Sequence, residues 1–187
     1  MSNSFPLPPD LPEPPDDRAC DHLKGLRLPA LALASTGGRL VNLGEFTALR
    51  TVIYCYPMTG VPGKALPQGW DAIPGARGCT PQTCGFRDHF GELQALRADV
   101  FGLSTQTTPY QREMAERLKI PFEILSDAEL RLCEALRLPT FSVDGIRLVK
   151  RLTLIIREGT IEAVFYPVFP PDRSADQVLD WMKKNPL

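Results

Sequence analysis

Two of the chain's five cysteines, Cys79 and Cys84, lie five positions apart in Gly78-Cys-Thr-Pro-Gln-Thr-Cys-Gly-Phe-Arg-Asp88. A thiol acts as a nucleophile only as its thiolate, and an ordinary thiol is about 3% ionised at pH 7. The spacing of Phe86, Phe90, Leu93 and Leu96 predicts a helix from near Thr80 to Leu96. Cys79 then stands at a helix N-terminus, where backbone N–H groups and the macrodipole favour negative charge. Arg77 and Arg87 are close in sequence and add local positive charge. In a regular helix, residues five apart have Cα atoms about 8.6 Å apart, beyond the roughly 7 Å that a disulfide spans. Joining the two thiols therefore requires the helix between them to unwind, which Gly85 eases. Such a pair suits a catalytic cycle better than a permanent staple.

The remaining cysteines read differently. Five is an odd number, so a fully paired disulfide framework is excluded. The first ten residues, MSNSFPLPPD, carry neither the basic nor the apolar stretch of a secretory signal, so a reducing, cytoplasmic setting is expected. Cys55 lies in a buried-looking strand and Cys133 on an apolar helix face, and both read as inert core. Cys20 reads as an exposed thiol with nothing near it to activate it. Cys79, Cys84, His89 and His22 form no common zinc pattern, since C-x4-C-x4-H lacks a finger's spacing. No metal and no cofactor is expected, and His89 reads as a surface imidazole.

The elements that must position this pair are legible in outline. Residues 28–34 and 39–43 form a hairpin around a Gly-rich turn, and Thr51-Val-Ile-Tyr-Cys-Tyr56 is a central strand buried on both faces. Short strands follow at 100–104 and 122–125. A helix opens at Thr107-Thr-Pro109 and runs to Leu118, and a second opens at Ser126-Asp127, with Leu130, Cys133, Leu136 and Leu138 on its apolar side. Residues 151–156 and 160–165 make the clearest hairpin, and a helix over Ser174–Lys184 closes the chain. The order β-β-β-α-β-α-β-α-β-β-α gives an α/β fold, a central mixed β-sheet with helices on both faces. Between the central strand and the cysteine helix lies a proline- and glycine-rich loop, 57–78, longer than connections usually are. It sits where strand ends meet helix starts, the usual working edge of such sheets. Six prolines in the first 15 residues make 1–18 a flexible, extended arm ahead of a domain over 19–187.

Lys and Arg total 21 against 22 Asp and Glu, a net charge of −1, which leaves no electrostatic footprint for nucleic acid or an anionic membrane. No apolar run reaches the roughly 20 residues that cross a bilayer. A length of 187 residues suits one domain with its own core.

Tyr54-Cys-Tyr-Pro57, GCTPQTCGFRD (78–88) and Phe101-Gly-Leu-Ser-Thr-Gln106 together resemble a peroxiredoxin of the PrxQ, or bacterioferritin comigratory protein, group. The resemblance covers roughly residues 25–185 and implies a thioredoxin-like fold and reduction of hydroperoxides, hydrogen peroxide and organic ones. By position it makes Cys79 the peroxidatic thiol and Cys84 its resolving partner, recycled by thioredoxin or a similar dithiol. It places the arginine that holds peroxide and thiolate on Arg151. The family pattern Pro-x-x-x-Thr/Ser-x-x-Cys is interrupted here. Pro57 stands 22 residues before Cys79 instead of seven, an insertion of 15 (22 − 7) over about 60–75. Thr59 is the candidate for the missing hydroxyl. Lys64 and Trp70 of the insertion read first as solvent contact and loop packing, with covering the pocket or meeting the reductant as the alternative, and Tyr110 is a candidate for the pocket mouth. A monomer or weak dimer is expected. Two rivals stand beside this reading: a thiol–disulfide oxidoreductase, which C-x4-C in place of C-x-x-C argues against, and a redox sensor or adaptor using the same pair as a switch.

Overall fold

The computed structural model describes residues 7–187. Its centre is a seven-stranded mixed sheet in the order β2-β1-β5-β4-β3-β8-β9. The strands are β1 (Ala32–Ser35), β2 (Leu40–Asn42), β3 (Arg50–Cys55), β4 (Ala98–Ser104), β5 (Ile124–Ser126), β8 (Leu152–Arg157) and β9 (Thr160–Phe165). β3 runs parallel to β4 and antiparallel to β8, and every one of its residues is buried. This explains its nearly unbroken apolar sequence, since helices cover both faces of a central strand. Val52, Tyr54 and Tyr56 face α1 (Cys79–Asp88), α2 (Phe90–Ala95), α3 (Thr108–Leu118) and α5 (Ser174–Lys184). Ile53 and Cys55 face α4 (Arg131–Leu136) and the segment Cys20–Leu28. The expected thioredoxin-like architecture, with helices on both faces, is what the chain adopts.

Three local features depart from the sequence reading. The predicted helix 80–96 breaks at His89, which caps α1 and precedes α2; the apolar spacing continues across the break because both pieces pack on the same face. α4 begins at Arg131 rather than at Ser126-Asp127. Asp127 still caps it, its carboxylate accepting from the Leu132 and Cys133 N–H groups at 3.0 and 2.8 Å. The third is an unexpected hairpin, β6 (Thr140–Val143) with β7 (Ile146–Val149). Its turn, Asp144-Gly145, has positive φ at both residues, 49° and 76°, as a two-residue type I′ turn demands.

This hairpin seats the long loop. Trp70 is buried and packs against Phe141 at 6.1 Å between ring centroids, with Ala76, Val143 and Leu148 around it. The Gln68 N–H reaches the Asp144 carboxylate at 3.3 Å. The insertion is therefore an ordered layer with its own small apolar cluster. Trp70 packs in this cluster, as expected, and also lines a cavity shared with Cys79.

Candidate active site

Cys79 is the first residue of α1, and Gly78 caps it with φ 101°. That glycine is required twice over. The conformation is one that side-chain-bearing residues avoid, and a Cβ there would sit 2.3 Å from Pro171 Cγ. The short turn before α5 thus packs directly on the start of α1 and fixes where the thiol stands.

Cys79 is 3% exposed and Arg151 4%. Arg151 lies in the two-residue link between β7 and β8, at the edge of the sheet's central region. Its Nη2 is 3.2 Å from Cys79 Sγ, and it also faces the carbonyls of Gly75, Ala76 and Arg77 at 3.2, 3.2 and 3.0 Å. Nη1 donates to Gln82 Oε1. The guanidinium thus ties the last residues of the long loop, the thiol and the second turn of α1 to one point, which its planar fork of donors allows and an ammonium would not. Gln82 is wholly buried, and its Nε2 donates to Ser174 Oγ at 3.3 Å, which in turn lies 3.4 Å from Thr153 Oγ1. When protonated, Cys79 Sγ has the Ala76 carbonyl as acceptor at 3.5 Å.

The positive charge at the thiol comes from Arg151, 72 residues away in sequence, and the flanking arginines expected to supply it are engaged elsewhere. Arg77 pairs with Asp71, and Arg87 binds Asp88 and the Leu118 carbonyl. Arg87 acts instead on Cys84. Burial raises that thiol above its ordinary value, and the guanidinium works against the rise. Cys84 sits inside the apolar cluster of α1 and α5, beside Phe86. Both cysteines are free thiols, and the helix between them is intact.

Thr59 is buried, and Gln106 binds it from both sides. The Thr59 N–H and Oγ1 reach Gln106 Oε1 at 3.1 and 3.3 Å, and Gln106 Nε2 donates to the Thr59 carbonyl at 3.2 Å. Thr59 and Cys79 line one cavity of about 460 Å³, together with Met58, Val61, Leu66 and Trp70. The insertion that follows Thr59 thus supplies part of the cavity wall before the chain reaches Arg77 and Cys79. Lys64 lies on the rim, whereas Tyr110 does not line this cavity. His89 turns outward to Glu92 and Asp176, at 2.7 and 3.2 Å.

Sequence reasoning passed over Gln82 and Gln106. Gln82 and Thr83 are both polar and wholly buried between the two cysteines, and of the two it is Gln82 that reaches Arg151. Gln106 closes the Phe101–Gln106 motif that carries the family resemblance, but only the fold brings it to Thr59.

The other three thiols lie on the opposite face of the sheet. Cys55 and Cys133 are buried, and desolvation holds both thiols far above their ordinary value. Cys20, expected to be exposed, is buried at 4% exposure, because the chain turns inward after the arm to pack Cys20 and Leu23 on the sheet. Desolvation, with Asp17 and Asp21 nearby, pushes its thiol up to about 12. His22 binds the Leu136 carbonyl at 2.9 Å, on that same face. Among the described residues, no three His, Cys, Asp or Glu side chains are grouped to hold a metal ion, and no helix is long and apolar enough to cross a membrane.

A mixed sheet with a thiol at a helix start and a guanidinium over it is the frame of a thioredoxin-like redox protein, and the Redoxin family model matches residues 23–179. Peroxiredoxin Bcp of Escherichia coli K12 is 32% identical over 163 residues, which cover 84% of this chain and 93% of that protein. Chloroplastic peroxiredoxin Q of Sedum lineare is 26% identical over 83% of this chain and 75% of its own. Peroxidoxin BcpB from Mycobacterium tuberculosis superposes with a TM-score of 0.72 at 25% identity, over 89% of this chain and all of that one. The chain belongs to the peroxiredoxins, in the Bcp and peroxiredoxin Q group, and is a thiol peroxidase.

Proposed function

We propose that Cys79 is the thiol that attacks the peroxide, that Cys84 resolves it, and that Arg151 and Thr59 hold the substrate. The observation that carries this assignment is the Arg151 Nη2 at 3.2 Å from Cys79 Sγ, in a cavity that Thr59 also lines. In the first step the Cys79 thiolate attacks one oxygen of R–O–O–H. The O–O bond breaks, its electron pair leaves with R–O⁻, and that oxygen takes a proton to give an alcohol, or water when R is hydrogen. Cys79 becomes a sulfenic acid, oxidised by two electrons. The Arg151 guanidinium and the helix N-terminus face negative charge throughout, so they stabilise both the thiolate and the charge that moves onto the departing oxygen.

In the second step the Cys84 sulfur attacks the sulfenic sulfur, an S–S bond forms, and hydroxide leaves as water with the Cys84 proton. A helical pair five apart cannot bond in place, so α1 unwinds first. Thioredoxin or a similar dithiol then restores both thiols by exchange, itself becoming a disulfide. This cycle fits a cytoplasmic enzyme working as a monomer or weak dimer, with no nucleic acid or membrane partner, built as one domain over 19–187 behind an arm.

Trypsin cuts after Arg77 and Arg87 and releases Gly78–Arg87 with both thiols. Reduced protein is mixed with one equivalent of hydrogen peroxide, quenched with acid, alkylated and digested. The peptide should lose two hydrogens, and the loss should vanish in Cys79→Ser. Two alkylated thiols after exposure would remove Cys79 from the role.

A further inference from the structure

We propose that the proline-rich arm is a wall of the substrate cavity and makes the enzyme favour hydroperoxides that carry an apolar group. This rests on the peroxidase reading above and adds the element that sets its specificity. Leu7 and Pro8 line the same cavity as Cys79 and Thr59. Leu7 Cδ2 lies 3.2 Å from the place a Cβ on Gly78 would take, so the arm reaches the residue next to the thiol. At about 460 Å³ the cavity lies in the range of sites for organic ligands. Hydrogen peroxide is little larger than a water molecule, whose share of liquid volume is about 30 Å³, and cannot bury apolar surface against these walls. An apolar substituent can.

The arm is held at its far end by a clasp. Asp17 Oδ2 accepts from Lys150 Nζ at 2.7 Å, and Asp17 Oδ1 accepts from the Tyr166 hydroxyl at 2.8 Å. Lys150 is the neighbour of Arg151, so the clasp closes beside the residue that binds the thiol. In between, Pro14 packs over Gly75, 3.4 Å from where its Cβ would be. Prolines at 8, 9, 12, 14 and 15 fix φ along this run. Ordering such a segment against the body costs less entropy than ordering a flexible one. A clasp that is remote from the cavity can therefore set the position of Leu7 and Pro8.

The test uses the full chain and the variants Leu7→Ser and Asp17→Asn. kcat/KM is measured for cumene hydroperoxide and for hydrogen peroxide with dithiothreitol as reductant. The ratio of the two values should fall roughly tenfold in each variant, the scale of a lost contact in an apolar pocket. An unchanged ratio, whatever the absolute rates, overturns the proposal and leaves the arm a structural strap. A second readout needs no turnover. Trp70 lines the cavity, whereas Trp181 stacks on Arg50 at 5.1 Å, so in a Trp181→Phe background tryptophan fluorescence reports the binding of cumyl alcohol, the product. Both variants should bind it more weakly by a similar factor, and equal affinity refutes the wall. A chain that consumes no peroxide refutes the peroxidase assignment, and the alcohol titration still decides the arm.

Discussion

Replacing Gln82 by leucine isolates the contact that holds α1 wound. In the wound helix Gln82 Oε1 accepts from Arg151 Nη1, and its Nε2 reaches Ser174 at 3.3 Å. Leucine keeps the volume and the helix propensity but leaves Nη1 without an acceptor in a site only 4% exposed. An orphaned buried donor costs about 1–3 kcal/mol. The unwound helix has given up this contact in either protein, so the cost falls on the wound state alone. If disulfide formation passes through a rapid unwinding equilibrium, its rate constant should rise in proportion, by roughly 5- to 150-fold. Gln82→Glu should do the reverse, because a carboxylate binds Nη1 more strongly than an amide does. The assay is rapid mixing of reduced protein with peroxide, an acid quench at increasing times, alkylation, and weighing of Gly78–Arg87. The sulfenic form should pass to the disulfide faster in Gln82→Leu and more slowly in Gln82→Glu. Equal rates in all three proteins would refute the argument, and Gln82 would then only brace the fold.

Three further outcomes are expected. Gly78→Ala puts a Cβ into Pro171 and forces a left-handed φ of 101° on alanine; it should cost more than about 2 kcal/mol and lower Tm by at least about 4 °C by calorimetry. Glu162 holds Arg50, which is 2% exposed, through two bonds of 2.8 and 2.9 Å. Glu162→Gln should cost about 2 kcal/mol, less than a fully buried pair because Glu162 is part-exposed. Arg50 holds the Glu162 carboxyl below its ordinary value, so this contribution is complete above an unfolded carboxyl's pKa of about 4.3 and is lost as pH falls through the lower folded value. Urea titrations of the two proteins should differ at pH 7 and converge in acid. Finally, iodoacetamide at pH 8 should leave Cys20, Cys55 and Cys133 unmodified in the native protein, where burial raises all three thiols; labelling of Cys20 as fast as Cys79 would refute its burial.

What the sequence made legible was local pattern. β3 showed in its unbroken apolar run, the β8–β9 hairpin in two apolar runs around Glu158-Gly159, and the start of α1 in the residues around Cys79. The β6–β7 hairpin carried a signal that was there to be used, Asp144-Gly145 between apolar runs, but the strands are only four residues each. The break at His89 left no trace, because both helices face the same core. The neighbouring arginines Arg77 and Arg87 pair with Asp71 and Asp88, whereas Arg151, placed at the thiol by the resemblance alone, is the one that reaches Cys79. Cys20 looked exposed because a proline run precedes it, and only the turn of the chain beyond that run carries it inside. The shared cavity of Thr59 and Cys79 depends on how the insertion folds on β6 and β7, which spacing alone does not encode.

The seven-stranded sheet divides the interior into two apolar clusters, one behind α1 and α5 and one behind α4. In the cycle proposed above, melting part of α1 disturbs only the first. The second keeps its packing and holds the three thiols of highest resistance to ionisation. The molecule is thus a hinge mounted on a bulkhead: amide exchange should quicken in α1 on oxidation and stay slow in β4, β5 and α4. On that proposal, the helix opens to form the disulfide while the second cluster keeps the rest of the fold packed.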